Sequence, residues 1–399
     1  MDGSSLTRRH FLFTATGAGT AALLTGCSGR SRPVLNVRPL VGAIPAQVLG
    51  QFRGQLRRSS QAATLQFLPE MQPQQLFTLL QTWKQTKAVD ASPSGFLDGL
   101  PLIGKGGKAR VADLVSLSDF WLQKAVQQQL IQPIDPQPIT AWQQLNPRWQ
   151  TLVRRNSQGQ PDPTGPVWAI PYRWGSLVIA YRKDLLQQRG IQPPRDWADL
   201  WRADFSRRIA LPDQARLVIG LALKRLGHSY NTTDLQAIAE LEPTLRSLHQ
   251  QVKVYSSDAY LQPLVLGDTW VAVGWSSDLL PLVQRNHLLA AVAPPSGTVL
   301  WADLWVRPQG ATPSPSSLVV DWLNFSWQPE IALFWTLTGQ ATSPILLGHT
   351  PPDLPAELRQ NPLLLPNPTL VQQSEFLMPL PATALTQYRD LWHRLRGDL

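Results

Sequence analysis

Short apolar runs alternate with stretches of helical periodicity along most of this chain. That alternation restricts it to α/β architectures with largely parallel sheets, because parallel neighbours need a crossover long enough to hold a helix. In a first region, from 34 to about 146, residues 74–84 place Leu76, Phe77, Leu79, Leu80 and Trp83 at helical spacing. Residues 111–116 read as a buried strand, after which Ser118-Asp119-Phe120-Trp121 opens a helix, with Ser118 or Asp119 as its natural N-cap. A second region follows the polar linker 156–165 and begins with a strand at 168–172. Strands at 208–211 and 271–275 then alternate with helices at 218–226 and 235–251, the first capped by Pro212-Asp213 and stopped by Gly227, the second capped by Thr233-Asp234. The proline-rich tail 350–381 reads as irregular. A last helix at 384–395 carries Leu385, Tyr388, Leu391 and Leu395. At 399 residues the chain exceeds the roughly 250–300 at which single cores stop growing, so two lobes are expected.

Several function classes are excluded early. The single cysteine rules out an intrachain disulfide, a thiolate metal cluster and a CxxC redox pair. The net charge of +9 comes from scattered arginines with no run of five or six like charges, which argues against a nucleic-acid groove. No nucleophile elbow, zinc-protease motif or calcium loop occurs, and the six histidines are dispersed. The run Gly99-Leu100-Pro101-Leu102-Ile103-Gly104-Lys105 nearly spells a phosphate loop, but Gly106 stands where a magnesium-binding hydroxyl belongs and Pro101 stiffens the turn. No enzyme, no cofactor and no metal site are therefore expected.

The N-terminus points to export. Residues 5–27 run from a basic start through a mild apolar stretch at 11–24, shorter than the roughly 20 residues of a membrane span. Thr7-Arg8-Arg9-His10-Phe11-Leu12 resembles the twin-arginine export motif, with Arg8 and Arg9 as its pair. Leu24-Thr25-Gly26-Cys27 resembles a lipoprotein cleavage box, so Cys27 reads as a lipid-carrying residue that tethers a periplasmic protein to the inner membrane. Each buried acyl CH₂ contributes about 0.8 kcal/mol, so two or three chains hold firmly. The alternative is a freely released protein in which Cys27 only ends the apolar stretch.

Sixteen tryptophans are present, and two of them sit beside carboxylates at strand ends, in Trp275-Ser276-Ser277-Asp278 and Trp301-Ala302-Asp303. Strand periodicity puts Trp301 and Asp303 on one face. An aromatic face beside a carboxylate suits an organic ammonium: charge-assisted hydrogen bonds contribute about 1.5–3 kcal/mol each and cation–π contacts about 0.5–2. Most of the sixteen are better explained by core packing.

Residues 168–345 resemble the spermidine/putrescine-binding periplasmic proteins of ABC importers, within the extracellular solute-binding proteins. The matching pieces are Ile170-Pro171-Tyr172-Arg173-Trp174-Gly175, Trp197-Ala198-Asp199-Leu200-Trp201, Asp213-Gln214-Ala215-Arg216, Asn231-Thr232-Thr233-Asp234 and Gly297-Thr298-Val299-Leu300-Trp301-Ala302-Asp303. The resemblance implies an α/β, type II periplasmic-binding-protein-like fold. Each lobe would hold a mixed, mostly parallel sheet flanked by helices, lobe one being 34–168 plus 302–347 and lobe two 169–301 plus 348–399, with the ligand cleft between them. It also implies a monomer that hands its solute to an ABC permease complex. By motif, Trp275, Trp301 and Asp303 match positions that box a polyamine and bind an amino group, and Ser118 and Phe120 match a polar and an aromatic position on the opposite lobe; Trp174 and Gln214 complete the candidate set. Gln214 and Leu217 stand where the family is acidic, and Leu40-Val41-Gly42-Ala43 lacks a family Trp, acid and Tyr. Asp119 and Asp278 are candidates to compensate. The expectation is a small organic amine or cation anchored on Asp303; the alternatives are a different polar or anionic solute, or an assembly factor with a degenerate cleft.

Overall fold

A computed structural model describes residues 32–90, 111–312, 316–347 and 354–397. Arg8, Arg9, Cys27 and the 99–105 run lie outside the described residues, and the chain from Pro33 onward is one compact unit. Its strands are β1 (Val34–Arg38), β2 (Thr64–Phe67), β3 (Leu114–Ser118), β4 (Ile131–Gln132), β5 (Ile170–Arg182), β6 (Ile209–Leu211), β7 (Val252–Tyr255), β8 (Val271–Trp275), β9 (Leu289–Val292), β10 (Val299–Pro308) and β11 (Glu375–Phe376). They join in the order β2-β1-β3-β10-β5-β8-β6-β7, with β4 and β11 beside β10 and β9 beside β5.

The two ends of this sheet are parallel. β1 runs with β2 and β3, and β6 runs with β7 and β8. Between them the two long strands β5 and β10 pair antiparallel to each other, to β8 and to β3. The α/β class is the one the alternation predicts, but the sheet is mixed rather than largely parallel, because β5 and β10 pair antiparallel with their neighbours.

Hydrophobic burial separates along those two strands. Ile170, Tyr172 and Trp174 of β5 pack in a first core with Leu300, Ala302 and Leu304 of β10, whereas Leu177 and Ile179 of β5 and Val299 of β10 pack in a second. Both strands therefore pass from one core to the other within a few residues. A third cluster, around Val178, Ala180, Leu279 and Leu358, takes the residues of β5 that alternate with Leu177 and Ile179 of the second core. The run of β5 is rich in aromatic and β-branched residues, so it stays extended over 13 residues, well past the short strand at 168–172.

Local cues misplace some helix ends. The helix expected from residue 235 is Leu241–Gln251, preceded by Glu240 rather than by the Thr233-Asp234 cap. Pro243 fits only a first turn, and the Leu235 N–H is taken instead by Gln387 Oε1 at 2.7 Å. The helix Ala215–Arg225 starts after Gln214, without a side-chain cap, so Asp213 does not cap it; Gly227 ends it with φ of 81° as expected. The tail carries short elements, Pro368–Gln373 and β11, and Val371 and Phe376 join the first core. In the last helix, Ala382–Gly397, Ala384 replaces Leu385 on the buried stripe with Tyr388, Leu391 and Leu395, and Leu385 is exposed.

Candidate functional site at the crossing of β5 and β10

The register of the two crossing strands sets the site. Trp301 lies opposite Gly175, and Asp303 opposite Arg173. A Cβ at residue 175 would fall 2.5 Å from Ser276 Oγ and 2.8 Å from Trp301 Nε1, so glycine lets the indole and a neighbouring helix close over the strand. On one flank β3 brings Ser118 opposite Asp303, and the helix Asp119–Gln127 starts there. On the other, β8 brings Trp275 opposite Leu177, and the helix Ser276–Arg285 starts there.

Each helix start docks onto a crossing strand. Asp119 Oδ1 accepts the Ala302 N–H at 3.1 Å, and Ser276 Oγ accepts the Ser176 N–H at 3.1 Å. Ser118 holds the N-cap position of its helix without a side-chain cap bond; its hydroxyl instead lies 3.5 Å from Asp119 Oδ1. The C-terminal ends of β3, β6 and β8 thus present their helix starts, the usual ligand crevice of α/β sheets.

Asp303 is not open to solvent. Arg173 Nε and Nη2 each lie 2.7 Å from its Oδ2, with Arg173 9% and Asp303 7% exposed. The expected ammonium anchor is thus already paired with a cation of the chain itself. The guanidinium carbon sits 5.6 Å from the Trp301 ring centroid and 6.0 Å from that of Tyr172. Tyr172 is fixed in turn by a 2.8 Å bond with Ser116 Oγ and by stacking on Trp305 at 4.1 Å. Burial alone would pull the Arg173 pKa down; the Asp303 carboxylate, with Tyr172, outweighs it and raises it.

The neighbouring carboxylates differ. Asp119 is half-buried, and its pKa is pushed up to about 7: burial raises it, the Ala302 N–H opposes, and the Asp303 charge raises it further. Arg155, fully buried, donates Nε to Leu152 O at 2.9 Å while its Nη1 has no hydrogen-bond partner. Burial lowers its pKa to about 10 against the pull of Asp119. Asp278 is exposed and accepts the Tyr260 hydroxyl at 2.6 Å, and the same hydroxyl accepts the Trp275 N–H at 3.4 Å. Tyr260 therefore ties the Trp275 backbone to the Asp278 carboxylate.

Trp275 and Trp301 are half-buried, Gln214 is exposed, and Phe120 is 59% exposed, edge-on to Trp121. Trp174 departs from the candidate set. It is 1% exposed, packs on Trp149 at 5.3 Å and lies in the first core. Arg173, Arg155 and Tyr260 were not singled out by sequence reasoning. The available signal was Arg173 itself, a charge inside an apolar strand run, which requires a buried partner.

A separate cavity of about 340 Å³ lies between the helix Pro147–Val153 and β11, lined by Arg148, Asn231, Glu375 and Phe376 among others. Its polar side chains are spent on structure: Arg148 donates to the carbonyls of Val371 and Ser374, and Asn231 to that of Phe376. Among the described residues, no group of three or more His, Cys, Asp or Glu could hold a metal ion, and no helix is long and apolar enough to cross a membrane.

Two cores joined by antiparallel crossing strands, with aromatic and charged side chains where the strands cross, define a type II periplasmic-binding-protein fold. The profile of the bacterial extracellular solute-binding proteins matches residues 109–368, and the chain belongs to that family. It is 28% identical over 220 residues to the spermidine/putrescine-binding periplasmic protein of Salmonella typhimurium, a match covering 55% of this chain and 60% of that relative's length. It is 27% identical over 291 residues to the protein of the same name from Escherichia coli strain K12, covering 71% and 77%. The solved spermidine/putrescine ABC transporter substrate-binding protein PotD of Streptococcus pneumoniae superposes with a TM-score of 0.73 at 21% identity, covering 92% of this chain and 99% of that one.

Proposed function

We propose that this chain is the substrate-binding component of an ABC importer and captures a small organic amine where β5 and β10 cross. The reading rests on one observation: half-buried Trp275 and Trp301 stand at that crossing with Asp119 and Asp278 at the adjoining helix starts. The tryptophans supply walls for an alkyl ammonium, and the two carboxylates supply partners for its charge. The names of the relatives support the solute class. The lobes of this reading form around the first and second cores, with β5 passing between them from Trp174 to Leu177, and close on the solute to offer the closed form to a permease. The protein works as a monomer in the periplasm, exported through Arg8-Arg9 and held at the inner membrane by a lipid on Cys27.

The test is a titration of the full chain with putrescine, spermidine, amino acids and quaternary amines, followed by tryptophan fluorescence. Saturable micromolar binding, weakened at least tenfold by Trp275→Leu or Trp301→Leu, is the expected result. A second reading, a binding protein for a polar solute that carries an acceptor group, is favoured by the Arg173–Asp303 pair, which puts a cation where a ligand ammonium would otherwise bind.

A further inference from the structure

We propose that Arg173 sets the specificity of this cleft: its guanidinium takes the Asp303 carboxylate that a ligand ammonium would otherwise take, so the protein discriminates against diamines and polyamines and prefers a solute bearing one ammonium and one carboxylate. The inference rests on the solute-binding reading and names the substrate class of that same site.

The pair is built in by the fold. Arg173 and Asp303 face each other in the β5–β10 register, both guanidinium contacts to Oδ2 are 2.7 Å, and both residues are nearly buried. Trp301 and Tyr172 flank the guanidinium and leave it little freedom to swing away. An ammonium entering here would have to displace a tethered cation, and would meet its like charge at close range in a partly desolvated site. A diamine thereby loses Asp303 as an anchor.

What the crossing offers instead is donors. A guanidinium has five N–H groups, and the contacts to Asp303 and Tyr172 do not use them all. The neighbouring Trp301 indole N–H has no hydrogen-bond partner. That nitrogen is buried against Gly175, so the planar guanidinium is the charge-assisted partner a carboxylate would use here. The exposed Asp278 carboxylate, on the flank of the second core beside Trp275, is left for the single ammonium. Gln214, an amide where the resemblance implies a carboxylate, removes a further partner for a second ammonium.

The experiment is calorimetric titration of the full chain and of its Arg173→Leu variant with putrescine and with 4-aminobutyrate, which differ only in one terminal group. The unaltered protein should bind 4-aminobutyrate at least tenfold tighter than putrescine, and Arg173→Leu should reverse the order, with putrescine gaining at least tenfold. Putrescine binding the unaltered protein as tightly as it binds the variant overturns the role of Arg173 and leaves the solute-binding reading standing. If the unaltered protein takes neither probe but takes another solute, the gain of putrescine by the variant decides. Should Arg173→Leu fail to fold, the double variant Arg173→Leu/Asp303→Leu removes both charges together: it should lose the preference for 4-aminobutyrate without gaining putrescine, and a retained preference overturns the proposal. Silence of every form toward every solute overturns the solute-binding reading and this inference with it.

Discussion

At the scale of single residues, the site is governed by charges that folding brings out of water. Among the described residues, Arg173 and Asp303 form a nearly buried ion pair at the crossing, each the other's partner of opposite sign. Removing one leaves a buried unpaired charge, a loss of about 3–5 kcal/mol, whereas removing both together is close to neutral. Asp303→Asn should therefore shift the urea midpoint sharply down, and Arg173→Leu/Asp303→Leu should recover most of the loss; equal destabilisation by both would contradict the pairing. Asp119 carries a second, pH-dependent cost. Its folded pKa near 7 lies above the unfolded value of about 3.9, so between those values the folded state binds the extra proton. Its contribution to stability is greatest at low pH and is lost as pH rises toward and through 7. Thermal midpoints at pH 5.5 and 8.5 should show Asp119→Asn gaining on the unaltered protein at the higher pH, and parallel curves would count against the buried acid. Of this, the shared face of Trp301 and Asp303 is legible from a period of two. The partnership with Arg173 is not, since 130 positions separate the two and only strand register joins them.

At the scale of elements, the crossing works because two strands and two helix starts approach closely. Gly175 is the position where no side chain fits, between Ser276 Oγ and the Trp301 indole. Gly175→Ala should cost about 1–3 kcal/mol by overpacking and blunt the fluorescence response to solute, both read on one purified variant; an unchanged midpoint would mean the helix Ser276–Arg285 is free to retreat. The same scale explains where sequence reasoning slipped. Cap residues such as Thr233-Asp234 and Asp213 are read from local chemistry, yet the Leu235 N–H goes to Gln387 and the first turns at Asp119 and Ser276 spend their oxygens on β10 and β5. Tertiary contacts compete for the same donors and acceptors, and win. The strands at β6 and β8 were legible because apolar runs bounded by polar residues survive any such competition.

At the scale of the whole molecule, alternation of strand and helix was enough to predict the α/β class and the parallel sets at the two ends of the sheet, because parallel pairing needs crossover connections. The insertion of antiparallel β5 and β10 between the two parallel sets was out of reach of local pattern, and these two strands contribute to both cores. Strands that pass between cores can bend there at small cost in burial, so saturating solute should make the particle more compact, seen as a smaller radius of gyration by small-angle scattering; an unchanged radius would argue for a rigid cleft.

The most direct test of the account is the tryptophan fluorescence of the full chain during titration with the amine and amino-acid panel, repeated on Trp275→Leu and Trp301→Leu. A saturable response to at least one solute that both substitutions weaken at least tenfold is the predicted result. A response that neither substitution alters would place the solute away from the crossing of β5 and β10 and contradict the account.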